Sequence, residues 1–265
     1  MVNYEFILFE VRDRVAWITL NRPEVLNAMH PPMAAELRDA WKRVRDDESI
    51  WMGVLTGSGE RAFSAGSDLK WRSAAGEEAR QHNRAEAADQ EATGFQRGMD
   101  CWKPLVAAVN GYAVGGGFEL VLGCDIVIAA ENAQFGLPEV RRGLMADGTG
   151  IHRLMRRIPY SAAMSMILRG QFIDAEEAWR IGLVNEVTPP ADLEETTARW
   201  VDQIMECAPL SLRASKEAAL CGMERPLSEA IGHVFPQAEA LYASQDFIEG
   251  PRAFVEKRPP QWEGR

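Results

Sequence analysis

Apolar and β-branched residues concentrate early in the chain in two short runs, residues 6–13 (FILFEVRD) and 15–23 (VAWITLNRP), with charge at the join. This pattern predicts a β-hairpin that ends at Pro23, which has no N–H to give to a strand ladder. Next come Pro31 and Pro32, then Met33, Leu37, Trp41 and Val44 at helical spacing. A proline suits the first helical turn, and one apolar stripe on an otherwise polar segment predicts a single amphipathic helix. Residues 50–59, 104–117 and 124–139 each read as a buried strand running into a turn. Strands alternating with helical segments imply an α/β core with parallel pairing.

Residues 72–100 are polar and poor in branched apolar side chains, which fits either a helical cover over the core or a plain solvated helix. Beyond residue 205 the apolar positions recur at helical spacing. The expected organisation is therefore an α/β core over residues 1–205 and a helical region over residues 206–265.

Charge narrows the partners. With 29 Lys and Arg against 39 Asp and Glu, the formal net charge of −10 gives no overall attraction for nucleic acid. Cys101, Cys124, Cys207 and Cys221 are far apart, and His30, His82, His152 and His233 form no ligand spacing with them. Reduced thiols and no metal site are expected. No apolar run approaches the ~18 residues of a membrane span, and the first residues lack a basic, then apolar, leader pattern. A cytoplasmic protein without a membrane partner is expected.

The chemistry concentrates in residues 109–139 (VNGYAVGGGFELVLGCDIVIAAENAQFGLPE). Glycine inside an element costs ~0.5–1 kcal/mol relative to alanine, so Gly115, Gly116 and Gly117 in succession ask for a reason. They do not continue into a GxGxxG dinucleotide pattern, because Leu120 stands at the third position. Two readings fit: a tight chain crossing, or a helix start whose free N–H groups face a developing negative charge. Residues 62–70 (AFSAGSDLK) have the same character, with the N–H of Ser67 offered beyond Gly66 and Asp68 placed to cap a helix. Two such turns can serve one oxygen, as acyl chemistry requires. Glu119 lies in an apolar segment and Glu139 follows a turn; each fits a salt bridge or exposed face, and together they also fit acid/base work. No nucleophile-elbow motif is present.

These stretches resemble the crotonase superfamily, the enoyl-CoA hydratase/isomerase group. LNRPEVLNAM, FSAGSDLK, AAVNGYAVGGGFELVLGCDIVIAAENAQFGLPEVRRGL, GLVNEV and EGPRAFVEKRPPQW occur in the family's order across nearly the whole chain. The resemblance implies a ββα spiral core with a helical C-terminal trimerisation region, forming a homotrimer or homohexamer. It implies an oxyanion hole made by the N–H groups of Ser67 and Gly116. It also implies Glu119 and Glu139 as the catalytic pair of a hydratase that adds water to a 2-enoyl-CoA thioester. Many isomerases of the group keep only the second glutamate. Coenzyme A is then part of the substrate, and no separate cofactor is expected. Val25, Ala65, Asp68, Leu69, Lys70 and Gly115 are the implied substrate-binding positions, with Lys70, Lys257 and Arg258 as candidate cations for the ADP moiety.

Residues 143–151 (GLMADGTGI) depart from the family by placing Ala146 and Asp147 where Pro and Gly are usual. The carnitinyl-CoA dehydratase branch is similar at this Asp and in the tail, which makes that activity the alternative, beside an enoyl-CoA isomerase or another lyase of the group. Trp71, Arg141 and Arg142 are further candidates for shaping the acyl pocket.

Overall fold

The computed structural model describes residues 3–78, 81 and 94–265. Strands β1 (Ile7–Arg12) and β2 (Val15–Leu20) form the expected antiparallel hairpin. Asp13 and Arg14 turn it with φ of 47° and 69°, a two-residue geometry whose twist matches that of the flanking strands. Helix α1 (Pro31–Asp46) buries Met33, Leu37, Trp41 and Val44, the stripe read from their spacing.

The core consists of two sheets. In the larger, β2, β3 (Met52–Gly57), β5 (Leu105–Val109), β7 (Ile126–Ala130) and β10 (Glu186–Thr188) run parallel in that spatial order, with β1 on the edge. In the smaller, β4 (Ala62–Ser64), β6 (Tyr112–Val114) and β8 (Gln134–Gly136) run parallel, and β9 (Phe172–Asp174) closes the edge antiparallel to β8. The apolar segments 104–117 and 124–139, each expected as one strand and turn, are thus two strands in different sheets. Only Asn110 and Gly111 separate β5 from β6. Apart from the exposed Tyr112, the strand residues on both sides of this break are buried, and all are apolar or aromatic, so hydrophobic patterning carries no mark of the change of sheet.

Each round of chain lays one strand in each sheet and then turns helical. β3 and β4 lead to α2 (Leu69–Ala75), and β5 and β6 lead to α3 (Gly116–Gly123). β7 and β8 lead to the 3-10 turn Pro138–Arg142 and α4 (Gly150–Arg157). The main core lies between the sheets and α1, with Trp41, Phe63, Phe118 and Phe135 fully buried. A smaller apolar cluster on the other face of the large sheet packs Val54, Val106 and Ile128 against Leu193 and Val201 of the helix Leu193–Met205.

After residue 205 the structure is helical, with helices Pro209–Gly222, Leu227–Ile231, Pro236–Tyr242 and Gln245–Glu256. Asp246 is buried and accepts the N–H groups of Glu263 and Gly264, which fastens the tail. Much of this region's apolar surface stays uncovered in one chain: Leu227, Ile231, Phe254 and Val255 are all at least 75% exposed. Part of the cover expected over residues 72–100, namely residues 79–80 and 82–93, lies outside the described residues.

Candidate active site

The three loops that leave the parallel strands of the smaller sheet meet at its C-terminal edge, where α/β folds commonly bind ligands. Beyond β4, the backbone donors are used in turn. The N–H of Ala65 donates to Leu26 O (2.9 Å), that of Gly66 to Ser64 Oγ (3.1 Å), and that of Asp68 to Met29 O (2.8 Å). Among the described residues the N–H of Ser67 alone in this turn has no acceptor, and Ser67 is exposed. Gly66 sits at φ +79°, a region that disfavours side chains.

Beyond β6, the N–H of Gly115 donates to Gly136 O (2.9 Å), and Gly115 turns the chain at φ +56°. Gly116 is the first residue of α3, and its N–H has no acceptor among the described residues. The two turns touch. A β-carbon on Gly66 would lie 2.6 Å from Val114 O and 2.9 Å from Gly116 N, and one on Gly117 would lie 2.3 Å from Ser64 O. Close approach of two backbones explains the glycine run, and it leaves two free donors side by side, one at a helix N-terminus where negative charge is favoured.

Two carboxylates flank these donors. Glu119, on α3 and 4% exposed, accepts the N–H of Gly150 at Oε1 (2.8 Å). Burial pushes its pKa up to about 7; the Gly150 N–H opposes this, and the neighbouring charges of Glu139 and Asp147 add to it. Glu139, on the 3-10 turn, is half-buried, and its Oε2 is shielded from solvent without a hydrogen-bond partner. Burial raises its pKa too, with Asp147 adding and its own N–H and Arg142 opposing. A β-carbon on Gly115 would lie 2.9 Å from Glu139 Oε1, and one on Gly116 would lie 3.8 Å from Glu119 Oε2. The arrangement can therefore hold an anionic oxygen and move protons beside it.

The family model described as enoyl-CoA hydratase/isomerase matches residues 10–265. The chain belongs to the enoyl-CoA hydratase/isomerase family. It is 41% identical over 264 residues to an (E)-benzylidenesuccinyl-CoA hydratase of Thauera aromatica, covering 97% of this chain and 99% of that one. It is 39% identical to a carnitinyl-CoA dehydratase of Salmonella typhi, with 94% of each covered. Among solved structures, an enoyl-CoA hydratase of Bacillus anthracis superposes with a TM-score of 0.90 at 33% identity, over 98% of this chain and all of that one. An enoyl-CoA hydratase of Mycobacterium marinum gives a TM-score of 0.87 at 36% identity, over 98% of this chain and 99% of that one. The two-sheet spiral is thus the crotonase fold of this family.

The remaining sequence-predicted positions divide on location. Val25, in the 3-10 turn Pro23–Val25, is half-buried, while Leu69 and Lys70 are exposed at the start of α2 beside Ser67. Ala65 and Gly115 belong to the two donor turns. The Asp68 carboxylate caps α2 through the N–H groups of Lys70 and Trp71 and receives Arg22 at 3.2 Å, so it holds the first turn in place. Arg258 is paired with Glu249 and Glu256, whereas Lys257 ends the helix Gln245–Glu256 in an exposed left-handed turn. Arg141 is occupied by the carbonyls of Arg169 and Gly170, and Arg142 lies on the Glu139 turn, where its Nη1 donates to Pro138 O (3.3 Å).

Several residues that build the site were not singled out in the sequence. Asn27 is fully buried; its side chain donates to Ser58 O and Ala62 O and accepts the N–H of Arg22, which ties the two loops below Ser67 together. Gly148 and Gly150 seat Glu119: a β-carbon on Gly148 would lie 2.3 Å from Glu119 Oε2. The alternating glycines of ADGTG were the available signal. Gln96, whose amide donates to Gly116 O (2.8 Å), had none. Among the described residues no group of three or more His, Cys, Asp or Glu could hold a metal ion, and no helix is long and apolar enough to cross a membrane.

Proposed function

We propose that the protein adds water reversibly to the double bond of a 2-enoyl-CoA thioester, a hydro-lyase reaction. The observation that carries this reading is the meeting of two acceptor-free backbone N–H groups with two carboxylates of raised pKa. The thioester oxygen accepts from Ser67 and Gly116, which draws electrons from the conjugated double bond and makes Cβ electrophilic. A water held between the glutamates loses a proton to Glu119 as its oxygen bonds to Cβ. Glu139 gives a proton to Cα as the enolate collapses to the thioester, and the pair resets by exchange with solvent. Run backwards, the same steps eliminate water. A double-bond shift needs only one group to carry a proton along the chain, so the presence of both carboxylates favours water chemistry over isomerisation.

Val25, Ala65, Asp68, Leu69, Lys70 and Gly115 line the approach of the thioester and its CoA, with Lys70 and Lys257 available to the phosphates. The exposed apolar residues of the helical region support assembly into a homotrimer or homohexamer, since soluble monomers rarely leave large apolar patches open.

One observation favours a second, narrower reading. Asp147 acts electrostatically on both glutamates, and it stands where a family hydratase usually has glycine. Together with the likeness to a carnitinyl-CoA dehydratase, this supports an acyl group with a polar or cationic substituent. The test is loss of enoyl-thioester absorbance with crotonyl-CoA and crotonobetainyl-CoA. Turnover of either that collapses in Glu119→Gln and Glu139→Gln while CoA binding persists supports hydration, and the preferred substrate chooses the acyl class. A folded, CoA-binding protein that turns over neither compound overturns both readings.

A further inference from the structure

Residues 96–98 form a strap across the site. The Gln96 amide donates from Nε2 to Gly116 O (2.8 Å), on the turn that carries one of the two free N–H groups. The Gln96 carbonyl accepts from Thr149 Oγ1 (3.0 Å) and from Arg153 Nε (3.1 Å), while Arg153 Nη2 also donates to Gly98 O (3.1 Å). Arg97 Nη2 donates to Asp147 O (3.1 Å). One short segment is therefore bonded both to the oxyanion turn and to the loop that seats Glu119.

Both ends of this strap need holding. Thr149 has φ +127°, a conformation that costs energy for a residue with a side chain and persists only where its surroundings impose it. It is fixed on one side by its hydroxyl on Gln96 O and on the other by the Gly150 N–H on Glu119. Gly116 has no β-carbon to limit its rotation. The peptide plane that carries the Gly116 N–H is held at its other end, where Gly115 O accepts from Glu119 N (3.0 Å), and the next plane is held where Gly116 O accepts from Gln96. Met29 Cε and Gln96 Nε2, which would lie 2.9 and 3.3 Å from a β-carbon on Gly116, pack against the residue that joins the two.

We propose that Gln96 is a positioning residue: its side chain, by holding the Gly116 carbonyl, limits rotation about Gly116 and so supports the turn that presents the Gly116 N–H, while its backbone carbonyl, through Thr149, fixes the seat of Glu119. The inference rests on the oxyanion role given to Gly116 above. It divides the two effects between separable groups. Gln96→Met keeps the length of the side chain and removes the donor, leaving the carbonyl in place. Thr149→Val removes the hydroxyl bonded to that carbonyl and leaves the Gln96 amide in place.

The experiment reads the oxyanion turn directly. Butanoyl-CoA labelled with carbon-13 at the thioester carbonyl is bound to each variant, and its stretching band is followed by isotope-edited infrared spectroscopy beside kcat and KM for crotonyl-CoA. In the wild type the bound band lies below that of free butanoyl-CoA. In Gln96→Met it moves back toward the free value and kcat falls about 10-fold to 100-fold, because small misplacement of a catalytic group is costly, with KM changed much less. In Thr149→Val the band stays and the pH profile of kcat moves on the limb governed by Glu119. Should Gln96→Met not fold, Gln96→Asn keeps the donor but shortens its reach and has the same expected direction. A wild-type band and wild-type kcat in a folded Gln96 variant overturn the proposal. If the wild type shifts the butanoyl band but does not hydrate crotonyl-CoA, hydration of that substrate fails while the band still decides the role of Gln96.

Discussion

The two glutamates are the same side chain held in two different ways. Glu119 sits inside α3, almost wholly buried, with one oxygen fixed by the Gly150 N–H and the other pressed against Gly148. Glu139 sits on a 3-10 turn, half-buried, with one oxygen beside Gly115 and the other without a partner. The first is a fixed group whose charge state is poised near neutrality. The second keeps a buried oxygen that the protein leaves without a hydrogen-bond partner. Burial alone sets no role; the division comes from which oxygens the fold has already used.

The hardest way to break this comparison is to remove the proton carriers of the proposed reaction. Glu139→Gln and Glu119→Gln are each expected to lower kcat by about 10²–10⁴, with CoA binding retained, as measured by turnover and calorimetry. Next comes the seat. Gly148→Ala would drive a methyl onto a carboxylate that has no room to retreat, an overpacking that costs about 1–3 kcal/mol. Its denaturation midpoint should fall, and activity should fall with it.

The pH dependence of stability sharpens the contrast. The pKa of Glu119 is raised in the folded chain, so the folded state binds more protons than the unfolded state between about 4.5 and 7. Stability is then lost as pH rises through that window, by up to about 3 kcal/mol for this group. Glu119→Gln keeps an acceptor for the Gly150 N–H and removes the charge. It should gain stability over the wild type at pH 8 and lose that gain at pH 4, as urea denaturation at the two pH values will show. The smallest expected effect belongs to Asp147→Asn. Removing this like charge lowers the pKa of both glutamates and moves the Glu119 limb of the pH–rate profile to lower pH by a fraction of a unit.

Much of this was open to a reader of the sequence, for physical reasons that differ by element. The hairpin and α1 declare themselves because one face of each is buried and the other wet, so Met33, Leu37, Trp41 and Val44 stand out against charge. Gly115 to Gly117 and the two glutamates stand out because they are expensive where they occur. The split of residues 104–117 between two sheets was hidden, since both halves are apolar or aromatic and the break at Asn110 and Gly111 looks like an ordinary turn. The seat of Glu119 was hidden because its partners lie about thirty residues along the chain. Gln96 was hidden because its contact with Gly116 depends on how a surface segment is laid across the fold.

The parallel neighbours β4 and β6 have a metrological consequence. Adjacent strands stand about 4.8 Å apart, and an amide nitrogen reaches an oxygen at about 2.9 Å. Ser67 and Gly116 lie just beyond these strands, in turns that approach so closely that a β-carbon on Gly66 would lie 2.9 Å from Gly116 N, so the strand pairing brings their two N–H groups to one place. The gauge is cut by the polypeptide and not by any side chain, so a serine at position 67 leaves the placement of the two N–H groups to the backbone. What substitutions can alter is what stands beside the gauge, the side chains on the third loop and on α3.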